Sequence, residues 1–284
     1  MVSTYQLKQA GARGLRNGAR IDMFGDMRNQ IFVGGTATDF VAKDLGVPMP
    51  IVAVEPDSTL FPQGGICVIS GREGAGKTQL VFSLARSIIN GTPFLGKYPV
   101  RQGRVAYVSF DMPLTEVQDR VSRMINMLEF PERLYISASD SPIDITTTDP
   151  DSEWVVKLLE FEPDIIMLDT LAKMHYLNEN KADTVAKVFG HMKRVFGGYP
   201  TQVPIHHEGQ EHPDPDMKKD DRDKLRGSTA WAANSDLNVR VSAKRSLKGS
   251  VVEVSFPRVR FCPEQYPITC VRNKDTLLLR PSEA

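Results

Sequence analysis

Between Ile66 and Ile205, short apolar runs alternate with stripes of apolar residues at helical spacing. Ile66-Cys67-Val68-Ile69 is a compact run of the kind that forms a buried strand. Leu80, Val81, Leu84, Ala85, Ile88 and Ile89 then recur on one helical face, and Asn90-Gly91 supplies the stop. Val105–Phe110 reads as the next strand, placed beside the first. Val117, Val121, Met124, Ile125 and Leu128 mark a helix, and Leu134–Ser137 a strand. Val155, Val156, Leu158 and Leu159 sit in a helix opened by Asp151-Ser152. Ile165–Leu168 is a strand bounded by Asp164 and Asp169. Val185, Val188, Phe189, Met192, Val195 and Phe196 form a strong helical stripe, and Val203–Ile205 is a strand interrupted by Pro204. Strand and helix in alternation predict an α/β fold whose mainly parallel sheet is covered on both faces.

The rhythm changes at both ends. Beyond residue 207, Glu208–Leu225 is polar and charged, long for a plain connection, and reads as a functional or disordered loop. Leu237–Val241, Val251–Phe256 and Ile268–Val271 then look like strands without helices between them, which predicts antiparallel hairpins at the sheet edge. Residues 1–54 read as an arm and linker. Lys8, Arg13, Arg16 and Arg20 make its start basic, and prolines at 48 and 50, followed by 56 and 62, break the approach to Ile66. Such an arm either touches DNA or a neighbouring subunit, or is a frayed, solvated terminus. Residues 55–284 form the predicted main domain.

Composition narrows the classes. The 284 residues are 41% hydrophobic, enough for one large core. Lys+Arg and Asp+Glu are both 35, so the chain is not a polycation that coats nucleic acid, although a local basic patch is compatible. No apolar run approaches the ~20 residues that span a bilayer, and the first residues lack an apolar signal core. Cys67, Cys262 and Cys270 are odd in number and show no ligand spacing, which argues against a disulfide framework or a cysteine zinc site. A soluble cytosolic protein is expected, with no membrane partner.

The strongest chemical signal is Gly71-Arg72-Glu73-Gly74-Ala75-Gly76-Lys77-Thr78, followed by Gln79, between a predicted strand and a predicted helix. A glycine, four residues and Gly-Lys-Thr in that context is a phosphate-binding loop. Glycines let the backbone curl so that amide hydrogens converge on phosphate oxygens, and the helix start adds its positive dipole end. Lys77 is expected on the terminal phosphates and Thr78 on magnesium. Asp169, at the end of a buried strand, is the expected second magnesium residue. Asp111 follows its strand and is placed either to polarise an attacking water or to cap the helix after Pro113. Arg120 pairs with Asp111 or phosphate, or is solvated.

Taken together, several segments resemble the RecA-fold ATPases of the plasmid RepA-type hexameric helicases and their phage relatives, and more loosely the DnaB, KaiC and RecA groups. They are the loop, Tyr107-Val108-Ser109-Phe110-Asp111, Met167–His175 with Asn178-Glu179-Asn180, Ile205-His206-His207, and Arg226-Gly227-Ser228. The likeness covers about residues 55–272. It implies a RecA-like P-loop core with antiparallel C-terminal strands, and ATP with Mg2+ as ligands. Asp111 stands where the family usually has a glutamate base, one methylene longer. Glu116 is an alternative base. One of His206 and His207 is implied to sense the γ-phosphate, since adjacent strand residues face opposite ways. A zinc site through the pair would need further ligands, with His212 and Glu211 near in sequence. Arg258 and Arg260 match a Lys-x-Arg pair that reaches a neighbour's γ-phosphate, or else are two exposed strand arginines.

The resemblance also implies a homo-oligomeric ring or filament, hexameric in the family pattern, with ATP at subunit interfaces. In it, the loop of residues 208–225 faces single-stranded DNA, where Lys218, Lys219, Arg222 and Lys224, with Arg226 just after it, are the candidate contacts. Residues 208–225 carry seven acids against four Lys/Arg, a poor phosphate surface overall. The leading expectation is therefore a replicative helicase ATPase in the cytoplasm, the host cytosol if phage- or plasmid-encoded. A recombinase or helicase loader of the same fold, and a nucleotide-binding assembly module without DNA action, stay open. A nucleotide kinase does not fit, because no arginine-rich lid follows the fourth helix.

Overall fold

The computed structural model describes residues 35–42, 50–177, 182–208, 231, 234–246, 249–273, 275–276 and 278–282. The chain divides into two units, Met1–Pro48 and Met49–Ala284. In the first, the described residues form one short helix, α1 (Ala37–Val41), opened by a reciprocal capping box between Thr36 and Asp39.

The second unit begins with a small hairpin, β1 (Val52–Glu55) and β2 (Ser58–Phe61). Ile51, Val52, Leu60 and Phe61 are fully or almost fully buried in the core, so the packed unit starts inside the segment that reads as linker. The prolines that suggest an irregular approach flank these strands without interrupting them.

Then follow β3 (Cys67–Gly71), α2 (Lys77–Asn90), β4 (Val105–Ser109), α3 (Leu114–Ile125), β5 (Leu134–Ala138), α4 (Glu153–Glu160), β6 (Ile165–Asp169), α5 (Ala182–Phe196) and β7 (Thr201–His207). The chain closes with β8 (Leu237–Ser246), β9 (Gly249–Val259), β10 (Ile268–Arg272) and β11 (Leu279–Pro281). β7 runs through Pro204 unbroken, because the ring-fixed φ lies inside the extended region and costs one donor only.

Among the described residues the main sheet has nine strands, in the order β11-β10-β9-β8-β3-β7-β6-β4-β5. From β8 to β5 all neighbours are parallel. β9, β10 and β11 add antiparallel pairs at one edge, as the helix-free C-terminal strands predict. One expectation is corrected. β4 does not lie beside β3, since β7 and β6 separate them. Alternating strands and helices fix the direction of the strands but not their order, and here two later strands fill the gap left by the first crossover.

The alternation of side chains builds two cores. Cys67, Ile69, Val105, Tyr107, Ile165, Met167, Val203 and Ile205 face α2 and α3. Ile66, Val68, Ala106, Val108, Ile166 and Leu168 face α4 and α5. Period-two alternation in strands that are buried on both sides leaves no polar face, which explains their continuous apolar runs. No helix among the described residues is long and apolar enough to cross a membrane. All three cysteines are free.

Candidate nucleotide-binding site

The C-terminal ends of β3, β7 and β6 meet the start of α2. Gly71 closes β3 against Val241 of β8, where a Cβ would stand 2.4 Å from the Val241 carbonyl oxygen. Only glycine lets the two backbones run side by side there. The loop then turns through Gly76 at φ +107°, a left-handed conformation that launches α2 at Lys77.

Lys77 is 6% exposed. Its Nζ donates to the carbonyls of Gly71 and Arg72, each at 2.9 Å, and lies 3.2 Å from His207 Nδ1. An ammonium has donors only, so Nδ1 accepts and the imidazole proton sits on Nε2. Burial pushes the ammonium's pKa down, and the carboxylates of Asp169, Glu208, Glu73 and Asp111 push against that. A desolvated cation at the mouth of a glycine loop is suited to an anionic ligand. Arg72, Glu73 and Gly74 are exposed around that mouth, whereas Ala75 is buried.

Asp169 is the hub of the site. Its Oδ2 accepts from Thr78 Oγ1 at 3.0 Å and from Tyr107 OH at 2.8 Å. Burial raises its pKa, the two hydroxyl donors lower it, and the nearby Asp111 charge raises it again. Because Thr78 spends its proton on Asp169, its oxygen lone pairs remain for a hard cation. A buried carboxylate beside a half-buried hydroxyl is an oxygen set that fits Mg2+.

Asp111 comes from the end of β4, two strands further along the sheet than expected, yet it still reaches the site. Phe110 N–H donates to the Asp169 carbonyl at 2.7 Å, which fixes the end of β4 against the end of β6. Asp111 is exposed, and its charge acts on both Lys77 and Asp169. It is not the cap of α3, whose first residue is preceded by Pro113 with no side-chain cap. Arg120 pairs with neither Asp111 nor the loop. Its Nε holds Glu116 at 2.8 Å along α3, so Glu116 is engaged as well.

The two histidines separate as strand alternation requires. His207 meets Lys77, while His206 is fully buried on the other face with its ring 5.1 Å from that of Trp231. His206 therefore does not join the loop, because one residue along a strand reverses the direction of the side chain. Among the described residues no group of histidines, cysteines and acids is arranged to hold a metal.

Arg258 and Arg260 lie at the other end of the sheet. Val259 pairs with Leu237, and Leu237 with Cys67, at the start of β3 rather than at the loop. Arg258 Nε donates to the Ser235 carbonyl at 3.0 Å, and Arg260 pairs with Asp236 at 2.9 Å. Neither arginine is brought to the phosphate loop of its own chain. Lys218, Lys219, Arg222, Lys224 and Arg226, and the Asn178-Glu179-Asn180 and Gly227-Ser228 segments, lie outside the described residues.

Sequence reasoning overlooked three contributors. Tyr107 carries a hydroxyl to Asp169 from within a strand that otherwise reads as plain core. Glu208 belongs by composition to the acidic loop, yet its side chain is buried. It accepts from Arg240 Nε at 2.8 Å and Ser70 Oγ at 3.3 Å, and its charge acts on Lys77. Arg272, from β10, donates from Nη2 to the Gly74 carbonyl at 2.6 Å. Tyr107 alone had a readable signal, a polar atom on the strand that leads to Asp111.

A glycine loop between strand and helix, a buried lysine in its mouth, and a strand-end aspartate on the loop threonine define a P-loop ATPase of RecA-like fold. A family model described as "AAA domain" matches residues 53–212. That is more than half of the chain, and the protein belongs to this family. Among solved structures, the fold is similar to the flagellar accessory protein FlaH from Methanocaldococcus jannaschii. The TM-score is 0.53 at 14% identity, over 79% of this chain and 92% of that one. No curated protein matches the sequence.

Proposed function

We propose that the protein is an ATP-hydrolysing motor that acts on single-stranded DNA as a ring or filament, of the kind found in RepA-like replicative helicases. The observation that carries the reading is the contact between Lys77 and His207, which joins the phosphate loop to the end of a central strand. A group touching the terminal phosphate there can pass its loss on hydrolysis into the sheet. The DNA reading rests on the motif resemblance, and the acidic excess of residues 208–225 is weighed against it. The burial of Glu208 removes one of those acids from the loop surface.

Each of the chain's own residues then has a task. Loop amides and Lys77 bind the phosphates, and Asp111 orients and deprotonates the attacking water. Thr78 and Asp169 would hold Mg2+, which supplies charge neutralisation at the phosphates when bound. Since Arg258 and Arg260 are remote from their own loop, a role for them in hydrolysis requires a neighbouring copy whose loop they reach. ATP would then sit between subunits of a homo-oligomer, a hexamer in the pattern of the resemblance.

Tyr107→Phe tests the metal assignment. Loss of one hydroxyl donor to the Asp169 carboxylate is expected to raise the Mg2+ concentration for half-maximal turnover about tenfold. Nucleotide binding without Mg2+ should not change. A wild-type Mg2+ titration in the variant would remove Tyr107 from the metal site.

The DNA reading is tested by ATP turnover with and without saturating single-stranded DNA, on material whose assembly state is known by mass. Stimulation of an oligomer is expected. Turnover indifferent to DNA would favour a nucleotide-binding assembly module, a reading that the acidic excess of residues 208–225 supports.

A further inference from the structure

The C-terminal strands reach the phosphate loop by a route that the chemistry above does not use. β10 is antiparallel to β9, which is antiparallel to β8, which is parallel to β3. The end of β10 therefore lies at the loop end of the sheet, and its last residue is Arg272. Arg272 Nη2 donates to the Gly74 carbonyl at 2.6 Å. A Cβ on Gly76 would stand 3.2 Å from Arg272 Nη2, 3.5 Å from its Nε and 3.1 Å from Gln79 Oε1. The guanidinium thus spreads over Gly74–Gly76 beside the Gln79 carboxamide.

Two buried atoms flank Gly76 without a hydrogen bond among the described residues: the donor Arg272 Nε and the acceptor Gln79 Oε1. They are complementary, a donor and an acceptor beside the same glycine. An unmade buried pair is costly, so a loop position that satisfies it is stabilised. The following turn is fastened too. Asn273 Oδ1 accepts from the N–H groups of Asp275 and Thr276, each at 2.9 Å. Leu279 N–H donates to Ser83 Oγ on α2 at 2.8 Å, and Leu278 and Leu279 are buried against the core. The hairpin is therefore tied to the loop at one end and to the loop's own helix at the other.

We propose that Arg272 is a positioning residue for the nucleotide, which acts from outside the phosphate loop and couples loop occupancy to the hairpin of residues 268–281. A planar peptide whose carbonyl is fixed has its N–H fixed as well. By holding the Gly74 carbonyl, Arg272 sets the Gly74–Ala75 peptide, whose N–H already closes on the Arg72 carbonyl at 3.1 Å. It also places a second cation next to the loop, in addition to Lys77, which favours an anion there. Coupling is reciprocal, so a nucleotide that orders the loop orders the hairpin through the same bond. The inference rests on nucleotide binding at the loop.

The test uses the full chain with Mg2+ and the slowly hydrolysed analogue ATPγS. Affinity is measured by calorimetry, and hydrogen exchange is followed in peptides covering residues 71–78 and 268–281. In the wild type, nucleotide is expected to slow exchange in both segments. Arg272→Gln should bind about tenfold more weakly, and at saturation it should protect the loop while leaving the hairpin unprotected. Arg272→Lys, which keeps the charge but not the planar fork, should recover part of the affinity and confirms that the fold tolerates change at this position. Loop protection without hairpin protection in the wild type overturns the coupling. Wild-type affinity in Arg272→Gln overturns the positioning role. An unprotected wild-type loop removes the nucleotide reading itself, and this inference with it.

Discussion

Lys77→Ala is expected to lower ATP turnover by about 10²–10³-fold, the loss that follows removal of one preorganised charged donor from a reacting centre. The ammonium rests on the Gly71 and Arg72 carbonyls and on His207. All three partners border the loop, so the side chain needs little reorganisation to meet a phosphate. Burial already pushes its pKa down, which means that the charged form is held at a cost until an anion arrives. The variant should therefore fold, and its thermal melt without nucleotide should resemble that of the wild type. A steady-state phosphate-release assay checks the prediction. Turnover near the wild-type level would remove Lys77 from the chemistry.

The second large effect is expected at Asp169, and it has two opposite parts. Asp169→Asn should lose about 10²-fold or more in turnover, since it removes the negative charge that draws the cation to Thr78. The same change should stabilise the protein in the absence of nucleotide and Mg2+. The sign follows from the direction of the shift. Burial raises the folded-state pKa of Asp169 above its ordinary 3.8. Below the ordinary value the carboxyl is neutral in both folded and unfolded chains. As pH rises through the folded-state pKa, the folded protein must carry a buried charge, and stability is lost. The amide oxygen of asparagine still accepts from Tyr107 and Thr78 but carries no charge. Melting temperatures of the two proteins should thus converge in acid and separate towards neutral pH, with the variant higher. An unchanged difference across that range would show that the Asp169 charge is not held at a cost.

This pairing of lost activity with gained stability is what a metal site built from a buried acid requires. A buried carboxylate costs stability and would serve the cation it binds. Tyr107 and Thr78 limit that cost by donating to one of its oxygens, Oδ2.

Much of this site was legible before the structure. Period-two alternation is a local rule, and it separated His206 from His207. The loop motif needed only its own eight residues and the flanking apolar patterns to be recognised. Asp169 stood out because a fully apolar strand ends in an acid. Long-range order was not legible. Nothing local says that β6 and β7 come between β3 and β4, because strand order depends on which crossovers pack best. The β1–β2 hairpin was hidden by prolines that mark turns and linkers alike. Arg272 is 198 residues from Gly74, and no pattern along the chain relates them. Glu208 was masked by its neighbours, since composition assigned it to the acidic loop while the register of β7 turned it inwards. Arg258 and Arg260 had the right spacing for a finger, but only the register of β9 shows that their own loop is out of reach.

The phosphate loop is held on its inner side by Lys77, at its floor by the backbone of Glu208, whose N–H donates to the Gly71 carbonyl at 3.1 Å, and on its outer side by Arg272. Two of these contacts come from the strands that flank β3 or extend beyond them.

Titration calorimetry of the purified chain with Mg2+ and ATPγS, beside Lys77→Ala, addresses the grip on the triphosphate most directly. Saturable heat with one nucleotide per chain is expected for the wild type, and its loss or strong weakening for the variant. A folded wild-type protein that gives no heat, or a variant that binds as tightly, contradicts nucleotide binding by this loop.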